Sequence, residues 1–241
     1  VSLLPRPLTV LRPALDLIWP PRCLACDEAA WDDVPLCRRC LLALPDPRPR
    51  CRRCGRGVGP HAPWASCPAC AQESLGLDGV IVGRTYRGTA RALVRALKYR
   101  GRLAAAPLLA DALVHALEEA RIPGDLLVPV PLSRRRRRAR GFNQADLLAR
   151  RVAHALGLER APRALRRIRD APPQVTLSRL GRLRSPRGTF RADRSRVGGR
   201  AVLLVDDVLT TGGTARAAAA ALRRAGALST VAAVACRAER A

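Results

Sequence analysis

The sequence predicts an α/β protein: a parallel sheet flanked by helices, with a small cysteine-rich domain ahead of it. Two observations carry that expectation. Residues 202–214 read VLLVDDVLTTGGT and run into the alanine-rich stretch ARAAAAALRRAG. Four apolar residues, a short loop of small residues and a long alanine-rich segment describe a buried strand, a tight turn and a helix. Between positions 23 and 70, eight cysteines fall into four C-x-x-C pairs.

Residues 1–22 are broken up by Pro5, Pro7, Pro13, Arg6 and Arg12. No apolar run there is long enough for a signal peptide or a membrane span. Residues 8–19 could form a short amphipathic helix, so 1–22 is expected to be a helix or linker. With no targeting segment, the expected location is cytoplasmic.

The pairs Cys23/Cys26, Cys37/Cys40, Cys51/Cys54 and Cys67/Cys70 occupy the expected second domain, 23–72. A C-x-x-C knuckle places two thiolates at adjacent vertices of a tetrahedron, and two knuckles close it. Four knuckles therefore predict two structural Zn²⁺ sites with no open vertex. Disulfides are the competing reading, disfavoured where nothing indicates secretion. Sequential pairing gives two ribbons; a cross-braced pairing would join the first knuckle to the third. The proline-rich LPDPRPR at 44–50 favours the sequential arrangement. His61 reads as a loop residue, and Trp31 and Trp64 as packing over the metal sites.

From 79 to 241 the pattern is that of a third, larger domain. A strand or hairpin is expected near 79–86, then helices over 88–99 and 103–120, the latter with Pro107 in its first turn. Leu126–Val130 reads as a short buried strand. The run RRRRRAR at 134–140 reads as a flexible basic loop, followed by a helix from Gly141–Gln144 to about 156. Residues 163–168 could add a strand. Residues 170–190 are rich in Pro, Arg and Ser, without periodicity, and suggest a lid. Residues 229–236 read as the last strand, with Cys236 in its apolar core.

A buried strand, a small-residue loop and a helix N-terminus form a natural phosphate site, because backbone N–H groups converge there and the helix dipole favours an anion. Thr210, Thr211, Gly212, Gly213 and Thr214 form this loop, and Asp206 and Asp207 stand at the strand end before it. The carboxylates are placed for sugar hydroxyls or a metal-bound diol. A Walker loop is excluded, since it needs Gly-Lys-Ser/Thr and Lys98 is the only lysine. The dinucleotide fingerprint is excluded too, because its acid follows the glycines.

The order of apolar strand, acid pair and T-T-G-G-T resembles the ribose-5-phosphate loop of type I phosphoribosyltransferases. Over nearly the whole chain the motifs resemble those of the ComF family. They are the four knuckles, Y-R-G…LKYRG at 86–101, VPVPLS with RARGFNQADLLAR at 128–150, Q-x-x-L-x-x-x-x-R-x-x-S at 174–185, and VDDVLTTGGT at 205–214. Ser185 departs from the Asn that the family favours. The resemblance implies a double zinc ribbon and a type I phosphoribosyltransferase-like domain. It implies a site for phosphoribosyl diphosphate with Mg²⁺ and a role with single-stranded DNA in natural transformation. A competence helicase or another DNA-processing protein is the implied protein partner. Arg134, Arg135, Arg140 and Asn143 are candidates for the pyrophosphate, with Lys98 a weaker one; contact with single-stranded nucleic acid is the other reading of the arginine run. Whether a phosphoribosyl group is transferred, and to what acceptor, is left open. The alternative is a conventional nucleotide-salvage or biosynthetic phosphoribosyltransferase with a zinc-binding extension.

Composition agrees with an anionic partner. The formal net charge over 241 residues is +25. Eight thiolates on two zinc ions would lower it only to about +21. Aromatic residues are 3% of the chain, so base-stacking platforms are scarce and polyanion binding would be mainly electrostatic.

Overall fold

The computed structural model describes residues 21–30, 34–44, 49–59, 67–72, 74–121, 124–169 and 188–239. The expected helix at 8–19, His61, Trp31, Trp64 and the 170–187 part of the expected lid lie outside them. Short helices α1 (Arg38–Leu42) and α2 (Pro68–Gln72) belong to the cysteine-rich part. The larger part follows the order β1 (Gly79–Thr85), α3 (Gly88–Arg100), α4 (Ala105–Ala120), β2 (Leu126–Pro129), α5 (Arg134–Arg140), α6 (Gln144–Leu156), β3 (Glu159–Arg160), β4 (Leu165–Arg167), β5 (Phe190–Ala192), α7 (Arg194–Val197), β6 (Ala201–Leu209), α8 (Gly213–Arg224) and β7 (Ser229–Arg237).

Five strands form one parallel sheet in the order β1-β7-β6-β2-β3. Its strands read as apolar runs because both faces are covered. On one face Leu127, Leu203, Val205, Val231 and Ala233 pack with α3, α4 and α6. On the other, Leu126, Val128, Val202 and Leu204 pack with α8, Leu165 and Phe190. The strand expected at 163–168 forms as β4, but it pairs antiparallel with β5 in a separate two-stranded sheet.

The connections set the position of the site. β6 leads through α8 to β7, toward one edge of the sheet, while β2 leads through α6 to β3, toward the other. The chain thus leaves adjacent strands in opposite directions between β2 and β6. A crevice opens at the carboxyl ends of such a pair, and ligands bind there in open α/β sheets.

One expectation needs correction. The run 134–140 is not a loop but helix α5. The Ser133 hydroxyl accepts the Arg136 N–H at 3.3 Å as an N-cap, and Gly141, at φ +77°, ends the helix. Arginine is a good helix former, and a Ser N-cap with a left-handed Gly stop suffices for two turns.

The cysteines gather sequentially, with Cys23, Cys26, Cys37 and Cys40 in one cluster and Cys51, Cys54, Cys67 and Cys70 in the other. Each cluster starts on a knuckle closed by an antiparallel bridge, Arg22 to Ala29 and Arg50 to Gly57. The two clusters sit on opposite faces of the sheet. The first packs Leu24 and Leu36 into the α3–α4–α6 core. It is tied down by Asp27, whose carboxylate lies 2.8 Å from both Arg100 and Arg102 at the end of α3. Those two guanidiniums, Arg102 first, hold the Asp27 carboxyl below its ordinary range. The second cluster packs with Leu75, Val80, Val82, Leu209 and Val234 on the other face. At Gly55 (φ +70°) a Cβ would stand 2.6 Å from Val82 and 2.8 Å from Val80, so this knuckle lies directly on β1.

Candidate functional site

Strand β6 continues four residues beyond the apolar run, carrying the acid pair within it. Successive strand residues point to opposite faces, and the two acids have different surroundings. Asp207 is 7% exposed, and its Oδ1 lies 2.8 Å from Lys98 Nζ, brought by α3. Asp206 lines a small pocket with Val208, Leu209, Thr210–Thr214 and Ala215. Its Oδ1 accepts the Asp207 N–H at 2.8 Å. Burial first, and the neighbouring Asp207 charge second, push the Asp206 carboxyl up to about 7, even though its edge still meets solvent at the pocket mouth.

The pocket floor is the start of α8. Gly212 is its N-cap, at φ +85° and ψ 0°, and no side chain caps the first turn. The first N–H groups of a helix have no intrahelical acceptor. With a glycine at the cap, they face the pocket together with the hydroxyls of Thr210, Thr211 and Thr214. No acid stands in the first turn to compete for an anion. This geometry can hold a phosphate dianion.

Two contacts join the loop to the second cysteine cluster, and neither is expected from sequence. A Cβ on Gly212 would lie 2.3 Å from a Leu75 methyl, so the loop rests on the chain just after Cys70. Arg237, 3% exposed, stands at the carboxyl end of β7. It donates to the carbonyls of Cys54 (3.0 Å), Leu209 (2.9 Å), Thr210 (2.6 Å) and Ala238 (2.6 Å). One buried guanidinium thus fastens the entry of the phosphate loop to a cysteine knuckle. The only signal in the sequence is a charge closing an otherwise buried apolar strand.

The structure spreads the pyrophosphate candidates. Arg134 and Arg135 point to solvent from α5. Arg140 donates to Gln144 Oε1 at 3.1 Å and lies over the Tyr99 ring. Asn143 is the N-cap of α6 and donates to the Val130 carbonyl at 3.1 Å, fixing the turn after β2. Arg136, not singled out from sequence, is the arginine of the run whose charge reaches Asp206. Asn143 Oδ1 and Gln144 Nε2 are buried without a partner among the described residues, which leaves hydrogen-bonding capacity beside the crevice.

The cysteine clusters fit zinc. Tetrahedral Zn–S bonds of ~2.3 Å require sulfur–sulfur edges of about 3.8 Å. Cys26–Cys37 and Cys51–Cys70 are 3.7 Å apart, Cys54–Cys67 3.5 Å and Cys67–Cys70 3.8 Å. Burial opposes ionisation of Cys51, but hydrogen bonds from the backbone N–H groups of Cys54 and Arg53 and from the Cys70 and Cys54 side chains together bring the thiol down to about 7.

A sheet of this order, with an acid pair and a phosphate-type loop at its switch point, defines a phosphoribosyltransferase-like domain joined to a double zinc ribbon. The phosphoribosyl transferase domain family matches residues 140–241, and the double zinc ribbon domain family matches residues 14–73. The DNA utilization protein YhgH of Salmonella typhi is 35% identical over 171 residues, covering 68% of this chain and 74% of its own. The protein of the same name from Escherichia coli is 34% identical, covering 67% and 73%. Competence protein F of Haemophilus influenzae is 28% identical, covering 66% and 73%. The chain belongs to the ComF family, with these proteins. The glutamine phosphoribosylpyrophosphate amidotransferase of B. subtilis, at 24% identity and a TM-score of 0.38, aligns over 54% of this chain and only 26% of its own.

The elevated Asp206 carboxyl gives a pH-dependent expectation. Its folded value of about 7 lies above the ordinary 3.8, so the folded state holds more protons than the unfolded one between those values. Stability from this group therefore falls as pH rises through that window. Asp206→Asn should raise the melting temperature at about pH 8, by the equivalent of about 1–3 kcal/mol, and leave it unchanged near pH 4. Melting curves across that range check it; a constant difference at all pH values would place the effect elsewhere.

Proposed function

We propose that the crevice between β2 and β6 binds phosphoribosyl diphosphate with Mg²⁺, in a protein that handles single-stranded DNA during natural transformation. One observation carries the ligand reading: a carboxylate pair stands directly before an uncapped helix N-terminus at the sheet's switch point. The amides of 211–214 and the threonine hydroxyls take the 5′-phosphate. Asp206 and Asp207 take the ribose hydroxyls, and the Lys98 ion pair orients Asp207. Carboxylate oxygens suit Mg²⁺, which keeps several waters and joins substrate oxygens. The metal supplies charge neutralisation at the diphosphate. Arg136 of α5, whose charge reaches Asp206, is the arginine for the leaving pyrophosphate, since a guanidinium fork pairs with phosphate oxygens. The DNA reading rests on the likeness to a DNA utilization protein and a competence protein and on the net charge of +25.

Calorimetric titration with phosphoribosyl diphosphate and Mg²⁺ should show saturable binding, lost in Asp206→Asn/Asp207→Asn. Pyrophosphate release across a panel of nucleobases then decides between transfer and binding alone. A release-competent base would assign an acceptor and favour a salvage or biosynthetic transferase. Absence of binding to the zinc-loaded protein would sink the ligand reading.

A further inference from the structure

Helix α3 buries Leu93, Val94, Ala96 and Leu97 and turns a basic stripe outward. Arg91, Arg95 and Tyr99 follow at four-residue spacing on the exposed side, with Arg87 at the N-cap. That spacing lines side chains up along one face. There is no acid in α3, and Arg87, Arg91 and Arg95 form no ion pair among the described residues. Such a stripe is costly to keep without an anionic partner, because like charges four residues apart repel.

Tyr99 ends the stripe and is 70% exposed, whereas Tyr86, Phe142 and Phe190 are largely buried. Two guanidiniums flank its ring, Arg95 at 5.8 Å and Arg140 at 5.5 Å from the centroid. Both are near the outer limit of cation–π contact, so neither lies flush on the ring. Arg140, half-buried, ends α5, whose other arginines are exposed and which contains no acid. Tyr99 therefore sits where two acid-free basic helices meet.

We propose that the outer faces of α3 and α5 form one track for single-stranded DNA, in which the arginines hold successive phosphates and Tyr99 stacks a base. This rests on the DNA-handling reading above and assigns it a surface. Arginines about 6 Å apart along a helix match the repeat of phosphates along an extended strand. An open ring selects an unpaired base, since a duplex keeps its bases stacked on one another. A base on an aromatic ring and phosphates on a basic groove are how sequence-tolerant single-strand binders work.

The test uses the full zinc-loaded chain, a fluorescein-labelled oligothymidylate and a labelled duplex, read by anisotropy at rising salt. Tyr99→Ala should weaken oligothymidylate binding about tenfold or more, and Tyr99→Trp should restore it. Neither should change the slope of log affinity against log salt. Arg87→Gln/Arg91→Gln/Arg95→Gln should make that slope shallower by about 2. Melting temperature and zinc content verify that each variant is folded. The track is overturned if Tyr99→Ala binds like the parent, or weakens single strand and duplex equally. If the parent binds phosphoribosyl diphosphate but no oligothymidylate, the DNA-handling reading fails and the track with it. If the parent binds DNA and the stripe variants change nothing, the track alone fails.

Discussion

Gly212→Ala is expected to cost about 2–4 kcal/mol of stability and to lower affinity for phosphoribosyl diphosphate by more than about tenfold. The residue occupies the left-handed region at φ +85°, where a side chain is strained. The added methyl meets a buried Leu75 methyl at 2.3 Å. Either Leu75 rotates within its packed cluster or the loop lifts, and lifting moves the first-turn amides away from the phosphate. A double-mutant cycle separates these contributions. Leu75→Ala removes the obstacle, so Gly212→Ala on that background should cost about 1–2 kcal/mol less than on the parent. Additive costs would mean that backbone strain alone is felt. Chemical denaturation and calorimetric titration measure both quantities.

The two zinc clusters should differ sharply in what their loss does to the ligand site. Cys54→Ser should leave one zinc per chain and weaken phosphoribosyl diphosphate binding by more than about tenfold, a change of about 1.4 kcal/mol or more at the site. The Cys54 carbonyl is an acceptor of Arg237, whose other acceptors open the phosphate loop. Structural zinc contributes folding energy of about 10–16 kcal/mol in isolated fingers, so an emptied ribbon will not hold that carbonyl in place. Cys37→Ser should likewise leave one zinc per chain but affect ligand binding far less. The first ribbon lies on the opposite face and is fastened by Asp27 to the end of α3, with no bond to the loop among the described residues, so it reaches the site only through the Lys98–Asp207 pair. Metal analysis with titration of the two variants checks the asymmetry. Equal losses would mean that the ribbons support the sheet as a whole and not the loop in particular.

The sequence shows those parts of the fold whose signals are local. Val202–Val205 and the apolar run of β7 read as strands because both of their faces are buried. The turn from β6 into α8 is equally plain, because its glycines and hydroxyls occur in the order that such a turn requires. Helix α5 was obscured by its own charge: six arginines suggest a solvated loop, although Ser133 and Gly141 already mark a start and a stop. Strand β6 runs past the acids because its ladder to β7 continues to Leu209, and a lysine more than a hundred residues earlier pairs with one of the acids. The β4–β5 pairing likewise joins distant residues, Leu165 with Ala192 and Arg167 with Phe190. Arg237 is the extreme case. Its acceptors lie at Cys54, Leu209 and Thr210, and no local pattern announces a bond that closes over most of the chain.

The place of β7 in the sheet has a consequence for the order in which the molecule can assemble. It is the last of the sheet strands in sequence, yet it lies between β1 and β6. Nascent chains emerge from the N-terminal side, and contacts across long loops form late. Each cysteine cluster closes over a short stretch and can capture its metal while the rest is still being made. Strand β1 has no partner in the sheet until β7 slides in beside it, and with β7 arrives Arg237. The ribbons can therefore be complete early, while the loop after β6 acquires its final shape only once β7 has been made. A half-made chain would already hold both cysteine clusters and still lack the strand that fixes the loop before α8.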